Sequence, residues 1–276
     1  MSGYGDHEVQ RRTRLRAPEV RQRVLDVALD RVGSLGMTVG FEHIMMDDLI
    51  READVSRSST YRLWDSKEAF VADLMVEIAR KAATSLVDES TMEICVRILL
   101  ENVELVATAD GRHRIVLETI RVALQHNYAS VVSSVEWQSY VSLTAALLGR
   151  VDNAAREEIT DALRSGSDAF VEQMAAFHKW FAELLGFRIR PEWAGDYRPY
   201  AALVSAIVEG LGIRQIANPA IVLATYRGPA TVRPDPEWTL ASTGLLAVFE
   251  RFMETDPDFD LAVALAEIDA LRDSAA

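Results

Sequence analysis

One cysteine, Cys95, occurs among 276 residues, so no internal disulfide can staple the chain, and a reducing, cytoplasmic setting is expected. No run of about 18 apolar residues is present, as a membrane-spanning helix would need, and the N-terminus lacks the apolar core of a secretory leader. Internal repeats and low-complexity stretches are missing. So are Cys-x-x-Cys, a phosphate-binding glycine loop and Gly-x-Ser-x-Gly. The five histidines (His7, His43, His113, His126 and His178) are scattered, and none follows a Glu by three residues as carboxylate-bridged metal bundles require. These absences argue against a hydrolase, an oxidoreductase, a resident cofactor or a metal site. Apolar residues are plentiful: at 49% of the chain they suffice for a substantial core. Cys95 lies on helical spacing with Ile94 and Ile98 and reads as a small core residue.

The net charge of −13 is unevenly placed. Residues 1–67 carry 11 basic and 11 acidic side chains, so all the excess negative charge falls in residues 68–276. Within the neutral head, Arg11, Arg12, Arg14, Arg16, Arg21 and Arg23 face only Glu19 over residues 9–23. A basic arm of this kind, with Arg14 and Arg16 at its end, can reach a phosphate backbone or minor groove; a solvated tail is the alternative reading.

Apolar spacing is helical nearly everywhere, and no strand alternation stands out. A first helix is expected from Pro18, a favourable first-turn residue, to Leu35, where Gly36 stops it. Two short helices follow across residues 46–64, separated by a turn at Asp54-Val55. A fourth, long helix opens at Asp65 or Ser66, with Asp65 and Glu68 spaced as a capping box. Further helices are expected at about 91–108, 112–132, 135–151, 153–164, 167–186, 197–217 and 238–254, with a weaker one at 259–272. Residues 218–237 form the main irregular insertion, with room for a short helix after Pro219. The fold class is all-α: a basic arm at 1–17, a three-helix helix-turn-helix head at 18–83, and a larger helical body at 84–276 reached through the fourth helix.

The segment Met46 to Glu68 carries the most information. Its turn needs a near left-handed backbone, which Asp54 tolerates better than most non-glycine residues. Ser56 can cap the next helix by accepting from free backbone N–H groups. The exposed face of that helix then offers Arg57, Ser58, Ser59 and Arg62, while Thr60, Leu63 and Trp64 turn inward. A helix-turn-helix places such a second helix in the DNA major groove.

The run Val55-Ser56-Arg57-Ser58-Ser59-Thr60-Tyr61-Arg62-Leu63-Trp64-Asp65-Ser66-Lys67-Glu68 resembles the head of the tetracycline-repressor (TetR) family. The match covers about residues 20–80. The resemblance implies a homodimer that binds a double-stranded DNA operator through mobile heads, with a divergent all-helical effector domain. It also implies that Tyr61 and Lys67 touch phosphates, with Arg57, Ser58, Ser59 and Arg62 at or near base edges and backbone. Three residues depart from the family pattern. Met45 stands where Ser or Thr usually caps the second helix, Ile50 where a small Ala is usual, and Thr60 where a large Leu is usual. The last two changes offset each other in volume where the two short helices pack. The loop before the second helix is also about four residues longer than in the family.

In the body, aromatic residues crowd the middle of the chain. Phe170, Met174, Phe177 and Phe181 follow a buried helical stripe with His178 on its shoulder, and Asn127 interrupts an apolar face. An apolar cavity with a few polar groups is how small-molecule sites are built. Asn127, Trp137, Tyr140, Phe177, His178 and Phe181 are therefore the candidate lining residues for a small apolar or amphipathic effector; ordinary core packing is the alternative. The 197–217 and 238–254 helices mix small residues with large apolar ones, which suits close helix crossings. By the family resemblance they form a four-helix dimer interface, through Leu203, Ile207, Gly210, Leu211, Ala241, Gly244, Leu245, Val248 and Phe252; packing within one subunit is the alternative. The expected function is a dimeric DNA-binding regulator, a repressor released by its effector, and the competing expectation is a ligand-independent DNA- or partner-binding helical protein.

Overall fold

The computed structural model describes residues 15–35, 44–84, 89–148 and 153–274. The chain is all-α, with twelve helices among these residues and two small two-stranded sheets. Helix α1 (Ala17–Leu35) buries Val20, Val24, Leu25, Ala28 and Val32 on one helical face. Helices α2 (Met46–Glu52) and α3 (Arg57–Leu63) are one to two turns each, too short to persist without tertiary packing. Helix α4 (Lys67–Thr84) lays Phe70, Leu74 and Ile78 into the same core. Its cap is Ser66, whose Oγ accepts from the Ala69 backbone N–H at 3.1 Å; the alternative start at Asp65 gives way to the residue one position on.

The head core does not close on itself. Leu143 of α7 (Val135–Leu148) is fully buried in it, and Ala162 and Leu163 of α8 (Asn153–Leu184) pack against it. Helix α4 is thus a seam whose apolar face is covered by the head on one side and by α7 and α8 on the other. Helix α8 runs unbroken through Gly166 where two helices, at about 153–164 and 167–186, are expected from the sequence. A mid-helix glycine costs only about 1 kcal/mol, and burial of Ile159 before it and Ala175, Phe181 and Ala182 after it outweighs that cost.

Helix α5 (Glu89–Glu101) is followed by a 3₁₀ turn at Val103–Ala107 rather than continuing to residue 108. Asn102 leaves the helical conformation there, and its side chain donates to the Ile98 carbonyl at 2.8 Å. Helix α6 (Ala109–Ser133), capped by Thr108, is the central strut of the body. Helices α9 (Arg198–Ala217), α11 (Leu240–Phe252) and α12 (Leu261–Ser274) complete it, with α10 (Pro219–Val222) where a short helix was expected.

The strands are three residues each, too short to leave an alternation in the sequence. Strand β1 (Phe187–Ile189) pairs antiparallel with β4 (Met253–Thr255), and β2 (Thr225–Arg227) with β3 (Glu237–Thr239). The segment joining β2 to β3 is pinned to α6. Thr231 is fully buried and donates to Glu118 Oε2 at 2.6 Å, while Arg114 Nε donates to the Thr231 carbonyl at 2.8 Å. Arg121 grips the same Glu118 with two hydrogen bonds of 3.0 and 2.6 Å.

Candidate nucleic-acid interface and ligand cavity

The turn into α3 depends on Asp54, whose φ of 50° lies in the left-handed region. Val55 follows with its N–H bonded to the Ile50 carbonyl at 3.2 Å, closing the turn. Ser56 then accepts from the Ser59 backbone N–H at 3.1 Å and donates to Ser59 Oγ at 2.7 Å. Ser56 and Ser59 are therefore occupied in holding the start of α3, and the Ser58 hydroxyl lies 3.3 Å from Ser56 Oγ in the same cluster. Thr60 is fully buried, with Oγ1 donating back to the Ser56 carbonyl at 3.1 Å, and Ile50 is also buried.

The opposite face of α3 presents Arg57, Ser58, Tyr61 and Arg62 to solvent, with Tyr61 41% exposed. The Arg57 guanidinium lies 5.4 Å from the Tyr61 ring centroid and 3.4 Å from Asp47 Oδ1. Both partners of that ion pair are exposed, so it is weak and can be exchanged for a phosphate. Arg62 shares a shallow cleft with Ser59, Leu63 and the start of α1 at Leu15, Arg16 and Val20. This brings Arg16 beside the exposed end of α3. Arg16 is exposed, and its guanidinium pairs only loosely with Glu19 at 3.3 Å. Lys67 opens α4. Arg14 lies outside the described residues, as do Arg11 and Arg12. Arg21 leaves the basic set: it is held by Asp73 through two hydrogen bonds of 2.9 and 2.5 Å, and by Glu77 at 3.6 Å. Met45 occupies the cap position of α2, is 57% exposed and makes no side-chain cap.

The body holds a cavity of about 150 Å³ among α5, α6, α7, α8, α9 and α11. Asn127, Trp137, Tyr140, Phe177, His178 and Phe181 all line it. Sequence spacing did not single out Tyr200, Val204, Glu209 or Phe249, which complete the wall. Nothing along α9 distinguishes its inner from its outer face, because both are apolar. Phe177 stacks near-parallel on Phe181 with centroids 6.0 Å apart, and His178 meets the Tyr200 ring edge-on at 5.0 Å.

Two polar groups of this cavity are left unsatisfied. Trp137 Nε1 and His178 Nε2 are buried without a hydrogen-bond partner among the described residues. Although His178 keeps some surface exposed, its Nε2 is sealed off, and burial pushes the imidazole pKa down to about 4. Burial also raises the Glu209 carboxyl and, together with the nearby Glu209 charge, the Tyr140 phenol. The Cys95 thiol on the same wall is pushed up to about 12 by burial, which leaves it unreactive as a thiolate. Among the described residues no group of three His, Cys, Asp or Glu side chains is placed to hold a metal ion.

The expected dimer residues divide. Ala241, Leu245 and Phe252 are buried inside the subunit. Leu245 lines the cavity, and Phe252 stacks on Trp193 with centroids 4.0 Å apart. Those three are corrected to internal packing, because α11 turns its larger side chains onto α6 and α9. Leu203 and Gly210 are exposed, and Ile207, Leu211, Gly244 and Val248 are partly so. Gly244 lies against Ile207, where a Cβ would meet the Ile207 side chain at 3.3 Å. The exposed stripe continues to Ile213 and to Ile216, which is 77% exposed. Helix α9 is the one described helix long and apolar enough to cross a membrane by length and composition. Its inner face, however, forms the cavity wall through Tyr200, Val204 and Val208.

No protein-family model matches the chain, and no curated protein matches it. Among solved structures it is similar to a TetR-family transcriptional regulator from Agrobacterium tumefaciens, with 13% identity over 87% of this chain and 100% of that one, at a TM-score of 0.41. The reduced form of E. coli NemR is similar at 15% identity over 87% of this chain and 99% of that one, TM-score 0.43. An SmeT–triclosan complex is similar at 13% identity over 87% of this chain and 94% of that one, TM-score 0.42.

Proposed function

We propose that the chain is a DNA-binding transcriptional regulator of the TetR type, acting as a homodimeric repressor released by a small molecule held in the body cavity. The observation that carries the reading is the α3 face: Arg57, Tyr61 and Arg62 stand exposed on a helix set by the Asp54 turn and the Ser56 cap. An exposed basic and hydrogen-bonding face on the second helix of a helix-turn-helix is suited to the major groove and its flanking phosphates. The negative charge lies in the body, away from this face, so the overall acidity does not oppose DNA contact.

The cavity favours an effector-responsive regulator over a ligand-independent one, since a sealed core would have offered no site. Its coupling to the head has a short physical route. Trp137 and Tyr140 line the cavity on α7, and Leu143, one turn further along that helix, is buried with Phe70 and Leu74 of α4. A ligand that shifts α7 or α8 therefore moves the seam helix. Two heads must meet successive major grooves roughly 34–36 Å apart, so a change in their spacing weakens operator binding. The exposed apolar stripe of α9 is the dimer face in this reading.

The test is selection of bound fragments from a random or genomic DNA pool, followed by a salt titration on the selected site. A dimer making about 8 phosphate contacts should show a log–log slope near −7. Failure to retain any DNA at low salt, or binding indifferent to Arg57→Ala and Tyr61→Ala, rejects the function.

A further inference from the structure

Among the described residues the body cavity carries one charged side chain, and that charge has no counterpart. Glu209 of α9 is, of the described residues, the sole carboxylate on the wall, and no described Lys or Arg lines the cavity. Among the described residues its carboxylate takes part in no ion pair and no hydrogen bond. The remaining wall is apolar and rich in rings, with Trp137, Tyr140, Phe170, Phe177 and Tyr200 around the space. Glu118, the carboxylate buried on α6, is treated differently: it is paired with Arg121, Thr231 and Arg233. A carboxylate left alone in an aromatic-walled space is poorly solvated, and its natural complement is a cation brought in from outside.

From this placement we infer that the cavity takes a small organic cation, an amine or quaternary ammonium on an apolar frame of about one ring. The ammonium group sits against Glu209 and the adjoining ring faces, and the apolar frame fills the space between α6 and α8. The size limit follows from the cavity volume of about 150 Å³, the scale at which an apolar cavity accommodates a benzene-sized guest. Burial raises the Glu209 carboxyl, and no partner lowers it; a bound cation would supply the missing compensation. Trp137 Nε1, an unpartnered donor, and His178 Nε2 remain available to a polar substituent on the same guest. The inference rests on the reading of this cavity as the effector site, and it specifies the charge of the effector.

The experiment compares phenyltrimethylammonium with its uncharged carbon isostere tert-butylbenzene, on the full-length protein without DNA, by tryptophan fluorescence and calorimetry. The two probes share shape, so the charge is the single variable. The cation should bind at least tenfold more tightly. Glu209→Gln should abolish that preference while leaving tert-butylbenzene binding within about twofold, and Glu209→Asp should keep the preference. Thermal melting of both variants shows whether they are folded. Equal or tighter binding of tert-butylbenzene, or a cation preference that survives in folded Glu209→Gln, overturns the inference and leaves the cavity as a neutral-ligand site. Binding of neither probe overturns both the inference and the effector-site reading, while the DNA selection still decides the function of the head.

Discussion

The Trp64 indole Nε1 donates to Asp73 Oδ2 at 3.0 Å, tying the residue that ends α3 to the middle of α4. The same carboxylate receives both hydrogen bonds from Arg21 of α1, and Trp64 meets Phe70 edge-on at 5.0 Å. One acid thus fixes three of the four head helices relative to one another. Asp73→Ala should leave a buried indole N–H unpaired and release Arg21, lowering head stability by roughly 1–3 kcal/mol. The measurement is urea unfolding followed by tryptophan fluorescence, and operator affinity should fall with it. An unchanged midpoint would show that Asp73 is dispensable for this arrangement.

Thr60 and Ile50 reverse the sizes usual in related heads, and both are buried where α2 and α3 meet. Thr60→Leu alone should overpack this contact by about 1–3 kcal/mol. Adding Ile50→Ala should recover a large part of the loss, giving a coupling energy of roughly 1 kcal/mol in a double-mutant cycle. Strict additivity would mean that the two positions do not compensate.

Gly212 marks where α9 crosses close to Trp137 of α7 and Val132 of α6. A Cβ at this position would stand 2.6 Å from Trp137 Cζ2 and 3.0 Å from Val132 Cγ2. Gly212→Ala should therefore push the Trp137 ring towards the cavity, destabilise the body by about 1–3 kcal/mol and weaken small-molecule binding more than DNA binding. A shifted tryptophan emission spectrum accompanies this outcome; unaltered emission and unaltered ligand affinity would contradict it.

His178 makes stability depend on pH in a defined direction. Its folded pKa of about 4 lies below the ordinary 6.5 because burial disfavours the charged ring. Between those values the unfolded chain binds a proton that the folded chain does not. Stability is therefore full above about pH 6.5 and falls towards pH 4 at up to roughly 1.4 kcal/mol per pH unit. Unfolding free energies between about pH 7.5 and pH 5 should show this slope in the parent, and a correspondingly shallower one in His178→Phe. Equal slopes would place the acid sensitivity elsewhere.

Glu118 works through a separate carboxyl. Burial by itself raises its pKa, but hydrogen bonds from Arg121 and Thr231, with the charges of Arg121 and Arg233, hold it below the usual carboxylate range. The resulting stabilisation is present above its unfolded pKa and is lost as pH falls through the lower folded value. Glu118→Gln should loosen the β2–β3 segment from α6, and faster proteolysis within residues 225–239 than in the parent would reveal it. Identical cleavage rates would show that Thr231 is held without the acid.

The sequence by itself determined the elements whose signals are local. Helical spacing located α1, α4, α6, α7, α9 and α11 to within a few residues, because each has an apolar face or punctuating residues of its own. The turn chemistry of Asp54 and Ser56 needs only neighbouring backbone groups, so the left-handed residue and the cap were readable before any contact was known. Tertiary structure alone decided what depends on partners distant in the chain. The continuity of α8 through Gly166 rests on the helices packed on both sides. Capture of Arg21 by Asp73 takes one arginine out of the basic run over residues 9–23. The inner and outer faces of α9 are alike in composition, so only packing could assign Glu209 to the cavity and leave Leu203 and Ile216 exposed; packing on α6 and α9 likewise turned Ala241, Leu245 and Phe252 of α11 inward. Apolar side chains carry no direction in their chemistry; the neighbours that exclude water from them supply it.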